Sequence, residues 1–139
     1  MKKRMISLCL VLSMVLTFAG CGNESNGSAD NTQGNVQELA GWVQEETGGD
    51  LFSIQVTDPY PSDWDACLER ANEERGEDAR PELTSSVENL DAYDTVFLGY
   101  PNWWYGVPMA LLTFLEENDL SGKQVYLFCS HGTGGLADS

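Results

Sequence analysis

Residues 94–106 read DTVFLGYPNWWYG, and the fold class follows from how this stretch divides. Thr95, Val96, Phe97, Leu98 and Gly99 form an almost continuous apolar run. Such runs belong to strands covered on both faces, as in parallel sheets. Directly after it, Tyr100, Trp103, Trp104 and Tyr105 put four aromatics into six positions. Pro101 and Gly106 argue against a strand or helix face there, so these rings sit on a connecting loop, where small polar residues are the rule. A planar ligand gives them a purpose, because aromatic stacking contributes about 0.5–1.5 kcal/mol per pair beyond area burial. Hydrophobic packing or a partner surface is the plainer alternative.

Outward from this stretch the pattern alternates. Pro108 suits the first turn of a helix running to about Asn118, with Met109, Leu111, Leu112, Phe114 and Leu115 apolar nearly all round, as in a buried helix. A turn over 118–122 leads to an apolar strand over 125–129. On the other side, Ser62 with Asp65 three positions on reads as a capping signal. It opens a helix through Trp64, Leu68 and Ala71 that Gly76 and Pro81 end. Residues 51–56 (LFSIQV) read as a short strand. Before them, Val36, Leu39, Ala40 and Val43 recur at helical spacing up to Gly48, with Trp42 at the edge of the stripe. Alternating helices and strands predict a parallel α/β sheet with flanking helices. Three strands are few for such a sheet, and the expectation is an incomplete one, lacking its first and last strands.

Ligands of open α/β sheets bind at the carboxyl ends of strands. Three segments meet that description. Gln33, Gly34, Asn35 and Val36 open the first helix, where unpaired N–H groups and the helix dipole favour a phosphate, although a simple helix cap accounts for the same residues. Pro101, Asn102, Trp103, Trp104 and Tyr105 form the aromatic loop. Ser130, His131, Gly132, Thr133 and Gly134 follow the next strand and offer close backbone approach plus one hydrogen-bonding ring. Two sharper readings of this third segment fall short. Gly132, Gly134 and Ala137 imitate a dinucleotide fingerprint without its downstream strand and acidic residue. Cys129 beside His131 resembles a thiol nucleophile, but Cys129 belongs to an apolar run, which favours an inert core thiol. No residue is singled out as catalytic, and no Cys/His spacing or acidic loop has the pattern of a metal site.

The start of the chain is a different kind of sequence. Lys2, Lys3 and Arg4 precede an apolar run over 5–18, then Ala19, Gly20 and Cys21. The run is shorter than the roughly 20 residues of a membrane span and has the length of a secretory leader. Phe18, Ala19, Gly20 and Cys21 resemble the lipobox of bacterial lipoproteins, which makes Cys21 the lipidation site. An ordinary cleaved signal with a chance cysteine is the alternative. Residues 22–31 carry a single alanine as apolar content and behave as a flexible tether. The expected organisation is therefore a leader over 1–20, lipidated cysteine and tether over 21–33, and an incomplete domain over 34–139, held outside the cytoplasm. Cys67 and Cys129 remain, either paired or as two buried thiols. A net charge of −15 in 139 residues excludes a nucleic-acid partner, since phosphates are repelled at every approach.

The phosphate-type helix start, the YPNWW loop after one strand and SHGTGG after the next resemble the flavodoxin-like proteins, in the branch marked by a GYPxWW loop. ETGGDLF, PYPSDW, ARPEL, PMALLTFLEE and LSGK fit that branch, and the resemblance covers about residues 32–139. It implies FMN as cofactor and transfer of electrons or hydride to a small acceptor or redox partner. By the resemblance, Gln33, Gly34, Asn35 and Val36 hold the phosphate and the residues from Pro101 to Tyr105 flank the isoalloxazine. The residues from Ser130 to Gly134 meet its pyrimidine side. Negative charge near a flavin disfavours its anionic reduced form and lowers its potential. The family's first strand, central in the order 2-1-3-4-5, has no counterpart in residues 25–33. The apolar leader fits that slot only in an unprocessed chain. Two rivals follow: a non-catalytic surface lipoprotein using Trp103 and Trp104 to bind a partner, and a gene fragment without independent fold.

Overall fold

The computed structural model describes residues 7–11, 35–132 and 135. In chain order these form strand β1 (Ser7–Val11), helix α1 (Asn35–Thr47), strand β2 (Asp50–Ser53), helix α2 (Trp64–Gly76) and a 3-10 turn (Leu90–Ala92). Strand β3 (Thr95–Pro101), helix α3 (Met109–Glu117) and strand β4 (Gln124–Ser130) follow. All strand pairs are parallel, and the order across the sheet is β2-β1-β3-β4. The parallel α/β architecture expected from the sequence is what forms.

The expectation of a missing first strand is corrected. The apolar leader residues Ser7–Val11 fill the central slot, with Leu8 opposite Asp50 on one side and Ser7 opposite Thr95 on the other. A central strand of a parallel sheet needs a short apolar run and little else, which a secretory leader also provides. Among the described residues no strand lies beyond β4. At this edge of the sheet Val125, Tyr126 and Leu127 are exposed.

Strand β3 alternates as its period demands. Val96, Leu98 and Tyr100 face a core shared with Ala110, Leu111 and Phe114 of α3 and with Ile54 and Val56. On the other face, the Phe97 ring stacks on Tyr126 at 5.2 Å, and Phe128 packs against Val36 and Ala40 of α1. Gly99 makes that second contact possible: a Cβ there would collide with the Phe128 ring. Helix α3 is buried through Met109, Ala110, Leu111, Thr113 and Phe114, whereas Leu112 is only partly buried and Leu115 is exposed.

Two boundaries differ from the sequence reading. Residues 54–56 leave the sheet: Val56 bridges Leu83 in antiparallel sense, with Thr57 N–H donating to Glu82 O and Thr84 N–H to Gln55 O. Their apolar pattern serves the α3 core rather than the ladder. Helix α2 is capped by Asp63 instead of Ser62, its Oδ1 accepting from Ala66 N–H at 3.0 Å. Cys67 and Cys129 are both free thiols. Cys21 and the tether lie outside the described residues.

Because β1 supplies one neighbour each to β2 and β3, removing residues 1–20 is expected to expose two inner edges. Amide exchange across Asp50–Ser53 and Thr95–Pro101 should accelerate by more than about tenfold relative to the full chain. Equal protection in the two forms would show that β1 contributes nothing to the sheet.

Candidate functional site

Strands β3 and β4 end together, with Pro101 opposite Ser130. The two loops that leave them are therefore side by side, and hydrogen bonds join them. Asn102 N–H donates to Ser130 O at 2.8 Å, and Asn102 Nδ2 donates to Gly135 O at 3.1 Å. The aromatic loop then reverses tightly. Trp103 and Gly106 exchange both backbone hydrogen bonds, at 2.9 and 3.0 Å, around Trp104 and Tyr105. Trp104 (φ 48°) and Tyr105 (φ 65°) both occupy the left-handed region. That is the pattern of a type I′ turn, which favours Asn-Gly, and residues held in sparsely populated regions cost about 1–3 kcal/mol each. Such strain persists only where surroundings enforce it. Here Trp104 Nε1 donates to the Leu68 carbonyl of α2 at 3.1 Å and fixes the indole against that helix.

Between this loop and α2 lies a cavity of about 390 Å³. Its walls are Trp64, Cys67, Leu68 and Ala71 of α2, Pro101, Asn102, Trp103 and Trp104 of the aromatic loop, Ser130, His131 and Gly132 after β4, and Asn35 at the start of α1. A mostly apolar wall with a few polar groups at its ends is how small-molecule sites are usually built. Asn35 opens α1, where first-turn N–H groups lack partners within the helix and carry its positive dipole end.

Eight of the expected site residues thus converge: Asn35, Pro101, Asn102, Trp103, Trp104, Ser130, His131 and Gly132. Val36 buries its side chain in the α1 core against Phe128 and has only its backbone to offer the site, which is the part the helix-start reading uses. Tyr105 is not among the residues that line this cavity. The tight turn carries it away from the cavity wall, and 61% of it is exposed. Gln33, Gly34, Thr133 and Gly134 lie outside the described residues. The thiol-nucleophile reading of Cys129 finds no support, since burial raises its pKa and it packs on the main core. Among the described residues no cluster of His, Cys, Asp and Glu has metal-binding form.

The α2 wall was missed by sequence reasoning. Trp64, Leu68 and Ala71 recur at helical spacing on an acidic helix, which reads as an ordinary core stripe. The available signal was Trp64 itself, a large indole on the first turn of a short polar helix. It is half exposed.

An open parallel α/β sheet with a cavity at its carboxyl edge, walled by a tandem-tryptophan loop, is the class these features define. Residues 27–139 match the family model described as Flavodoxin, and the chain belongs to the flavodoxin family. It is 29% identical to Flavodoxin 1 of Escherichia coli (strain K12) over 99 residues, which is 68% of this chain. The chain spans only 42% of the length of that relative. Among solved structures, it resembles a protein described as a flavoprotein from Bacteroides eggerthii DSM 20697, with 30% identity and a TM-score of 0.72. The match covers 94% of this chain and 74% of that one. A flavoprotein from Lactobacillus acidophilus NCFM, solved in complex with FMN, shares the fold at 18% identity and a TM-score of 0.74, over 96% and 80% of the two chains.

Cys67 tests the cavity directly. Burial raises its pKa, partly offset by Arg70 nearby, so the reactive thiolate is scarce at pH 8. Iodoacetamide labelling of Cys67, followed by peptide mass spectrometry, should run slower than labelling of a free cysteine at that pH and speed up as pH rises. Labelling at the free-thiol rate would mean that this wall is open to solvent.

Proposed function

We propose that this chain is an FMN-binding electron-transfer module. The observation that carries the reading is the apolar slot between Trp103–Trp104 and α2, with a helix start at Asn35 and the loop after β4 at its margins. A cavity of about 390 Å³ falls within the range of small-molecule sites, of order 300–1,000 Å³. Its chemistry suits a flat aromatic ring bearing an anionic tail. Residues 33–36 would hold the phosphate, Trp103 and Trp104 would flank the ring, and Ser130, His131 and Gly132 would meet its polar edge. FMN, when bound, supplies the one- and two-electron redox chemistry.

What the chain supplies is position, exclusion of water and field. The indoles and α2 shield the slot, while the net charge of −15 disfavours accumulation of negative charge on a reduced ligand. Tyr105 and the exposed part of Trp104 give a redox partner or small acceptor an apolar edge to approach. Support for FMN comes from membership of the family and from the FMN complex of the Lactobacillus relative.

Titration of the full chain with FMN, followed by flavin fluorescence, tests this reading. Saturable quenching is expected, and Trp103→Ala should weaken binding about two- to tenfold through lost stacking. No quenching up to high micromolar FMN overturns the cofactor assignment. Tryptophan emission that responds to a protein or sugar ligand, and not to flavin, would favour the partner-binding alternative.

Lipid anchoring through Cys21 is the second part of the proposal, supported by the leader sequence and its lipobox-like end. Cleavage before Cys21 removes Ser7–Val11, the residues of β1, so export and the four-stranded sheet are alternatives for the same polypeptide. Intact-mass analysis of protein from a bacterial membrane fraction should find an acylated N-terminus at Cys21, lost in Cys21→Ser. An unmodified chain beginning at Met1 would remove the anchor and leave β1 in place.

A further inference from the structure

Tyr60 lies on the connection before α2 and forms no part of the cavity wall, yet it touches the wall through one ring. Its centroid is 5.1 Å from that of Trp103, with the planes at 79°, an edge-to-face contact. We propose that Tyr60 is a positioning residue for the Trp103 indole, held in place by Arg70 and Glu74 of α2. The ligand named in the test rests on the FMN reading above, whereas the geometry belongs to the chain alone.

Tyr60 is fixed at two points. Its phenol donates to Glu74 Oε2 at 2.5 Å, and the Arg70 guanidinium lies over its ring, 4.2 Å from the centroid. Arg70 is itself held by two hydrogen bonds, to Glu74 Oε1 at 2.9 Å and the Pro59 carbonyl at 3.1 Å, and by an ion pair with Asp58 Oδ2 at 3.2 Å. The Arg70 and Glu74 side chains are largely buried, at 21% and 12% exposure, so solvent competes weakly for these contacts. Burial and the Glu74 bond push the phenol well above the usual tyrosine range.

The result is a rigid bracket. The Trp103 backbone is set by its exchange with Gly106, which leaves its ring orientation to what packs beside it. Tyr60 is that neighbour. Helix α2 grips the second indole separately, through the Leu68 carbonyl on Trp104 Nε1. Both tandem indoles thus take their position from one helix, the first through Tyr60 and the second directly.

Full-length protein carrying 5-fluorotryptophan gives one fluorine resonance for each of Trp42, Trp64, Trp103 and Trp104, with Trp103 assigned by its absence in Trp103→Phe. In ligand-free protein, Tyr60→Leu should shift or broaden the Trp103 resonance and leave that of the distant Trp42 unchanged. Tyr60→Phe, which keeps the ring, should restore most of the native position. With FMN, Tyr60→Leu should weaken binding about three- to tenfold and alter the visible circular dichroism of the bound flavin, and Tyr60→Phe should recover both. A folded Tyr60→Leu with an unmoved Trp103 resonance overturns the proposal. Should Tyr60→Leu fail to fold, Arg70→Gln, which removes the cation over the ring, carries the same expectation. A shifted Trp103 resonance in a protein whose native form binds no FMN would sink the cofactor reading and leave the positioning role standing.

Discussion

The site exists because two parallel strands stop at the same level. The ladder between β3 and β4 runs in register from Thr95 opposite Gln124 to Pro101 opposite Ser130. No side chain is needed to bring the aromatic loop next to the loop after β4, since equal strand ends do it. Asn102 then joins the loops by its backbone N–H and its side-chain amide. The same pair of strands also seats α1. Gly99 leaves room above β3 for the Phe128 ring, and Val36 and Ala40 pack on that ring. The helix start that carries Asn35 is therefore referenced to the strands that carry the tryptophans.

That arrangement depends on what lies between β2 and β3. Strands in a sheet sit about 4.8 Å apart, so an empty central slot would hold β2 and β3 about 10 Å from each other with facing rows of unpaired backbone groups. Ser7–Val11 satisfies both rows. Its composition explains how a leader can do so: a buried parallel strand and the apolar core of a secretory signal both ask for a short uncharged run. The two roles differ in consequence. One makes the segment the centre of the fold, and the other discards it.

Much of the fold was legible in the sequence, and the exceptions share a cause. The apolar run over 95–99, the buried helix after Pro108 and the stripe of α1 each carry a period that only one element satisfies. Residues 51–56 misled because Ile54 and Val56 are apolar for the sake of the α3 core and not of the ladder. Of the site, the loops following β3 and β4 were legible because strand ends locate them. The α2 wall was not, because nothing local distinguishes a residue facing a cavity from one facing a core. Tyr105 is a third kind of case. Its place in an aromatic cluster suggested a shared role, while the turn geometry separates it from Trp103.

The turn that separates them also bears on how the site works. Two aromatic residues at positive φ are a poor choice for stability alone, since Asn-Gly would fit the same turn without strain. The surrounding contacts offset that cost: the paired backbone bonds of Trp103 and Gly106, the indole bond to Leu68 and the Tyr60 edge on Trp103. Each of these contacts is made within the chain, so the ordering of the loop is already accomplished before a ligand arrives. Ordering a rotamer-rich side chain on binding costs about 0.5–1.5 kcal/mol, and two indoles held in advance avoid most of it. The strain and the bracket thus belong to one design, in which folding free energy is spent to keep a flat slot open at the end of the sheet.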